Sequence, residues 1–359
     1  MKIPIKNLYH VFLYAWRRFP GGALADVGID DGPDVPNLLA RLLLSSVRHL
    51  VRRGLDRGYA TLTEELVAPR GRLRLDRMIK ETSVLRGTAI CDVDDLSHDV
   101  LLNQLVKATL RSVARNTDVE KSTRHELSVL SQRFFDVADI PLTGGVFRKV
   151  AVSRHNREYS FLVRICEFLF WQQIPTQDGL GTRFKSIVEN ETTMSAVFEE
   201  FLRNFYRLRR TEYRVRAEAL TWGASSATEP DLELLPRMVT DITMRGLGRT
   251  IIIDAKFYRS TLARSDYGER IRSNHLYQIM AYLQHERLRS STEVAGILLY
   301  PRVDQNIRLY YHLLGIPVMV ATVNLFDDWQ RIEDELYTII DCCEGYAAEG
   351  ASRAVSGVS

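Results

Sequence analysis

The stretch LLPRMVTDITMRGLGRTIIIDAKFY, residues 234–258, decides how this chain is read. It holds two apolar, β-branched runs on either side of Gly246-Leu247-Gly248, which predicts a β-hairpin. Asp254 and Lys256 stand two apart on the second strand, so their side chains leave the same face. With Leu247-Gly248 as a two-residue loop, Gly246 pairs with Arg249, and the same register sets Asp241 directly opposite Asp254. A loop longer or shorter by one residue removes that opposition. Two carboxylates facing each other across a ladder repel. A cation between them relieves the repulsion, and oxygen-ligated Mg²⁺ is the usual choice. A lysine beside such a metal suits phosphodiester hydrolysis: the metal polarises the phosphate and activates water, and the ammonium steadies the developing charge. Asp-x-Lys alone is equally explained by a salt-bridged pair on a surface strand. The run Ile251-Ile252-Ile253 argues otherwise, because a buried strand that ends in an acid and a base is unusual on packing grounds.

Working outward, the 359 residues point to two domains, and 45% hydrophobic with 26% charged residues is the balance of an ordinary globular protein. A net charge of +3 is too small to indicate a nucleic-acid partner. Two local clusters say more. Arg70, Arg72, Arg74, Arg77 and Lys80 crowd one segment. Arg203, Arg207, Arg209, Arg210, Arg214 and Arg216 crowd another, interleaved with Phe205, Tyr206 and Tyr213. Basic residues with aromatics suit a phosphate-tracking groove, and a solvated helix face explains the second cluster equally well. Four cysteines without Cys-x-x-Cys spacing fit a reducing compartment and no structural zinc site. The apolar start mimics a signal peptide, but His10, Arg17, Arg18 and the helical spacing of Leu8, Phe12, Ala15 and Trp16 predict a packed helix instead. No apolar run approaches the roughly 18–20 residues that span a bilayer, so the expected location is cytoplasmic, with no membrane partner.

The rest of the chain is patterned for an α/β (α+β) fold. Helices are predicted at 6–17, at 38–51, from a cap at Ser97 or Asp99 through Val113, at 124–134 and at 159–171, with two strands joined by a turn over 59–75. The polar segment 172–191, punctuated by Pro175, Gly179 and Gly181, is placed as a linker. Beyond it the pattern reads helix 192–208, strands near 212–219, 238–245 and 249–257, helix 270–286, strands 294–300, 306–312 and 317–323, and helix 326–343. That is a mixed sheet flanked by helices. The expected organisation is domain 1–171, linker 172–191, domain 192–344 and a disordered tail 345–359.

Pro236, Asp241 and Asp254-Ala255-Lys256 resemble the PD-(D/E)xK nuclease motif. The wider wording resembles the McrC family, the nuclease subunit of 5-methylcytosine-dependent restriction. The likeness rests on the 234–258 stretch, NHLYQIMAYL (274–283), GILLYPRVD (296–304), IPIKNLYHVFLYAW (3–16), GRLRLDRMIKET (71–82), SHDVLLNQLVKATL (97–110) and TVNLFDDW (322–329), in the expected order. It covers nearly the whole chain. The resemblance implies a mixed helical and β N-terminal domain that docks on an McrB-like AAA+ GTPase, followed by a PD-(D/E)xK endonuclease core acting on methylated double-stranded DNA with Mg²⁺. It implies Asp241 and Asp254 as metal ligands and Lys256 as the residue that orients water and stabilises charge.

Related nucleases carry a glutamine on the helix after the lysine, which implies Gln278 as a catalytic residue. Tyr282 lies four residues on, on the same face. An acid from the helix 192–208 often joins the metal, which implies Glu199, with Glu200 equally able to reach inward. His275 is the only histidine near this set. The phosphate-cradling G-x-x-x-x-G-K-[ST] pattern is absent, so GTP hydrolysis is expected of the partner. The Arg70–Lys80 segment is a candidate for contact with that partner. Two other classes also fit the sequence: a nuclease-fold adaptor that no longer cuts, and a stand-alone structure-specific nuclease.

Overall fold

A computed structural model describes residues 3–16, 34–152, 158–175, 182–184, 191–224, 231, 233–258, 263–265 and 268–356. The chain divides into two compact units: Gly22–Lys185, and Ser186–Ser359 joined by Met1–Gly21.

In the first unit, Asp34 caps the helix Val35–Arg53 by accepting from Asn37 N at 3.1 Å, with Pro36 in the first turn. Leu38, Leu39, Leu42, Leu43, Val47 and Leu50 recur at helical spacing and are buried against the helices Lys121–Ser131 and Glu158–Gln172. The helix Leu101–Ala114 packs on the same pair. A three-stranded antiparallel sheet completes the unit, in the order Gly58–Leu66, Ala89–Ser97, Arg72–Leu73. The two strands expected over 59–75 therefore do not pair with each other. Each pairs with Ala89–Ser97, in register Gly58↔Ser97 and Arg72↔Asp92. That strand was left unassigned in the sequence, although Ala89, Cys91 and Val93 alternate inward and form the small core beneath the sheet.

The second unit is built on a six-stranded mixed sheet, in the order Arg308–Leu313, Ile316–Val323, Glu293–Pro301, Arg249–Ala255, Ile242–Gly246, Arg214–Arg216. The three central strands, Arg249–Ala255, Glu293–Pro301 and Ile316–Val323, run parallel, and the outer pairings are antiparallel. The expected hairpin register holds: Gly246 pairs with Arg249. Leu247 and Gly248 both take positive φ, 52° and 74°, as a two-residue turn matching the strand twist requires. Ile252, Leu298, Val318 and Val320 face the helix Ser273–Arg289 and pack on Ile279 and Leu283. Gly296 permits that approach, since a Cβ there would lie 2.6 Å from Leu283 Cδ1. The helices Glu191–Arg209 and Trp329–Ser356 pack on the sheet as well, against the alternate residues such as Ile251 and Ile253, which are fully buried.

Two boundaries differ from the sequence reading. The N-terminal helix Ile5–Ala15 belongs to the second unit, not to a continuous 1–171 domain. Its apolar face needs a partner, and the helix Glu191–Arg209 supplies it: Tyr14 packs on Phe201 and Phe205, and Asn204 Nδ2 donates to Ala15 O at 3.1 Å. Asn7 Nδ2 donates to Leu325 O and Asp327 O, both at 2.8 Å, tying the same helix to the other end of the unit. The expected disordered tail is also shorter, because the last helix continues to Ser356. The expected 172–191 linker contains the short pair Gln173–Pro175 and Thr182–Phe184, and the division between units falls at its end.

Candidate functional site

Asp254 sits at the end of the central strand Arg249–Ala255, which is hydrogen-bonded on both sides. Its side chain is completely buried, and no main-chain N–H serves its carboxylate oxygens. Lys256 Nζ lies 3.0 Å from Asp254 Oδ1, an ion pair. The same-face relation read from the sequence is thus met, and Lys256 N donates to Leu299 O at 2.9 Å to hold the strand's continuation against its parallel neighbour.

Asp241 departs from the direct cross-strand opposition expected. The ladder ends at Ile242↔Ile253. Asp241 lies just beyond it, and its Oδ2 accepts from Ala255 N at 2.9 Å. The physical reason is local: at the end of the ladder the Ala255 N–H has no strand carbonyl on that side, and the carboxylate takes its place. The main-chain oxygen of Asp241 accepts from Arg203 Nε at 2.8 Å.

The electrostatics follow from burial. Asp254 is pushed up to about 7, first by burial and then by the charge of Asp241, against the pull of Lys256. Asp241 is raised by burial although Lys256, the Ala255 N–H and Arg203 oppose it. Burial depresses Lys256, but Asp254 and Asp241 outweigh it and hold the ammonium above the ordinary lysine range. A completely buried carboxylate served by one ammonium alone, beside a second carboxylate that also resists ionisation, has the donor chemistry of a hard divalent cation site.

Gln278 and Tyr282 come together on the helix Ser273–Arg289, as their spacing implied: Gln278 Nε2 donates to Tyr282 Oη at 2.9 Å. Burial raises Tyr282, the hydrogen bond from Gln278 opposes it, and the charges of Asp254 and Asp241 add to the rise. His275 is buried on the same helix, with Nδ1 2.9 Å from Tyr300 Oη. Burial first, then Lys256 and Arg272, lower it to about 4 and keep it neutral near pH 7.

Glu199 is pushed up to about 7 by burial and then by Asp241. It is ion-paired to Arg203 one turn along its helix. Among the described residues no three His, Cys, Asp or Glu side chains converge in a metal-binding cluster, so Glu199 stands beside the carboxylate pair and not within it. Arg203 was not singled out as a site residue, although its place four residues after Glu199 was a visible signal.

Of the two readings left open for the second basic cluster, the phosphate-tracking groove loses its aromatics. Phe205, Tyr206 and Tyr213 are buried in the core. Arg207 donates to Val215 O at 3.0 Å, Arg209 pairs with Glu333, Arg210 with Asp341 and Arg216 with Glu218. Further along the face that carries Asp254, Arg245 bridges Glu218 and Glu286 at 2.7 and 2.6 Å, and both acids are buried. Arg245→Met leaves Glu218 with Arg216 alone and takes Arg245 from the buried Glu286. A loss of about 3–5 kcal/mol is expected in a urea titration, and a loss below about 1 kcal/mol would show that the bridge carries little.

A family model described as the McrBC 5-methylcytosine restriction system component matches residues 24–301. Over 339 residues the sequence is 31% identical to the Type IV methyl-directed restriction enzyme EcoKMcrBC of Escherichia coli (strain K12), covering 94% of this chain and 97% of that protein. In fold it is similar to a chain of the refined half-complex from a tetradecameric assembly of Thermococcus gammatolerans McrB AAA+ hexamers with bound McrC. The TM-score is 0.54 at 15% identity, over 94% of this chain and 76% of the other.

Proposed function

Since this chain belongs to the family of McrBC 5-methylcytosine restriction system components, we propose that it is the DNA-cutting subunit of such a system, docking on and stimulating an McrB-like AAA+ GTPase. The observation that carries the cutting role is the completely buried Asp254 carboxylate, paired with Lys256 and set beside Asp241 at the end of a central strand. An adaptor that had lost cleavage has no use for an arrangement that costs stability in this way.

Asp241 and Asp254 are the residues that would hold Mg²⁺, which when bound polarises the phosphate and makes water acidic enough to attack at neutral pH. The protein's own groups do the rest. Ala255 N–H fixes the Asp241 carboxylate, and the strand end fixes Asp254. Lys256, ion-paired with Asp254, would orient water and donate to the oxygen on which charge builds up. Gln278, hydrogen-bonded to Tyr282 one turn along its helix, would orient the attacking water. Glu199 reaches the cation only by leaving Arg203.

The Gly22–Lys185 unit is the proposed docking part. Its small sheet and following turns expose Leu73, Leu75, Ile79, Val84 and Leu85, several of them more than 60% open. Apolar side chains exposed in one short segment mark a protein interface. Within the same segment the basic residues are mostly paired, Arg74 with Asp76 and Asp92 and Arg77 with Glu81.

A net charge of +3 supplies only modest DNA affinity. The isolated chain is therefore expected to cut poorly even with Mg²⁺. Cleavage is expected once an McrB-like GTPase, GTP and methylated DNA are added together. The assay is plasmid cleavage with each component omitted in turn. Efficient cutting of unmethylated plasmid by this chain alone would instead make it a stand-alone nuclease.

A further inference from the structure

We propose that Arg203 is a positioning residue for the carboxylate pair and sets how tightly the pair holds a divalent cation. The inference rests on the reading above, in which Asp241 and Asp254 are the ligands.

Asp241 lies one residue past the last ladder pair, Ile242↔Ile253, so strand pairing no longer fixes its main chain. Two other contacts do. Ala255 N–H holds the carboxylate at 2.9 Å, and Arg203 Nε holds the main-chain oxygen at 2.8 Å. The first comes from the neighbouring strand and the second from the helix Glu191–Arg209. The arginine is itself held: Glu199, one turn back on the same helix, engages Nη2, and the side chain is only 16% exposed. A guanidinium fork fixed at one nitrogen presents the other in a set direction, which a single ammonium cannot do for both partners. Glu199 thereby acts on Asp241 through Arg203. A ligand held from behind binds a cation with less ordering still to be done, and such supporting contacts commonly carry about 10–100-fold in metal affinity.

Losing Arg203 also frees Glu199 to approach a cation, which would mask the effect. The comparison is therefore between full-length Glu199→Gln and the double variant Glu199→Gln with Arg203→Met. Mn²⁺ is the probe, and free Mn²⁺ is followed by electron paramagnetic resonance well below the melting transition. About a tenfold weaker Mn²⁺ dissociation constant is expected in the double variant. Without metal, amide exchange in a peptide covering 250–256 should be faster in the double variant, because Asp241 no longer steadies Ala255 N–H. A purely structural arginine would lower the melting temperature and leave the Mn²⁺ affinity of the folded protein unchanged. An affinity within about twofold of the parent overturns the proposal. Asp254→Asn is measured alongside: if it binds Mn²⁺ as the natural sequence does, the carboxylate-pair reading falls and this inference with it. If Arg203→Met does not fold, Arg203→Gln, too short to reach Asp241, is expected to show the same loss.

Discussion

Asp254→Asn is expected to lower cleavage by about 10³-fold or more and, in metal-free buffer, to raise stability. The two effects have one cause. Asp254 is completely buried, and Asp241 adds a like charge, which together outweigh the pull of Lys256. Folding raises its pKa from 3.8 to about 7. The folded state therefore holds the proton more tightly than the unfolded chain. The favourable contribution is complete below the unfolded value, is lost as pH rises through the window between the two, and is absent above about 7. Removing the charge avoids that loss, by roughly 4 kcal/mol at most. The melting temperatures of the two proteins, measured with chelator across this pH range, should coincide at the acid end and separate toward the alkaline end, with Asp254→Asn higher. GTPase stimulation should survive, because the docking part lies in the other unit. A variant that cuts DNA at the natural rate removes this carboxylate from the mechanism. One that is less stable at alkaline pH shows that the carboxylate is satisfied in the apo protein.

The second large effect concerns the start of the chain. Deleting residues 3–16 is expected to unfold the unit that carries the site and leave the Gly22–Lys185 unit standing. Leu8, Phe12, Leu13 and Tyr14 are completely buried, and Tyr14 also meets Phe201, Phe205 and Trp329. Truncating one such residue costs about 2–5 kcal/mol, and losing the whole helix exceeds the ~5–15 kcal/mol that stabilises a typical domain. Phe12→Ala alone should lower the melting transition of this unit measurably. Limited proteolysis is the direct readout: cleavage should spread through 186–356, while 34–152 stays protected. A deletion variant whose C-terminal part still resists protease would show the helix to be dispensable.

Reading this sequence without coordinates succeeded where the deciding interactions were local. The hairpin register followed from two turn residues, and it brought Asp241, Asp254 and Lys256 to one strand end. The helix face of Gln278 and Tyr282 followed from a spacing of four. The failures had two sources: partners distant in the chain, and local features that the pattern concealed. Arg209 and Arg210 looked like a phosphate-binding stripe because their partners, Glu333 and Asp341, lie far along the chain. The strand Ala89–Ser97 was missed because its acidic outer face, Asp92 and Asp94, hid the inward alternation of Cys91 and Val93. Asp241 was set directly opposite Asp254 because extending the ladder by one pair was the simplest continuation. The free Ala255 N–H that draws the carboxylate aside exists only once the strands end. The sequence showed the first helix to be amphipathic but not which distant helix would cover it.

That first helix has a consequence for how the protein is made. Its covering partners, from Phe201 to Trp329, leave the ribosome long after it does. The whole Gly22–Lys185 unit is synthesised in between. At ~5–20 residues per second, roughly 300 residues take about 15–60 s. During that interval Leu8, Phe12 and Tyr14 have no permanent cover, while the intervening unit is complete enough to fold. Synthesis order therefore completes the unit proposed to dock before the unit that carries Asp241 and Asp254 can assemble.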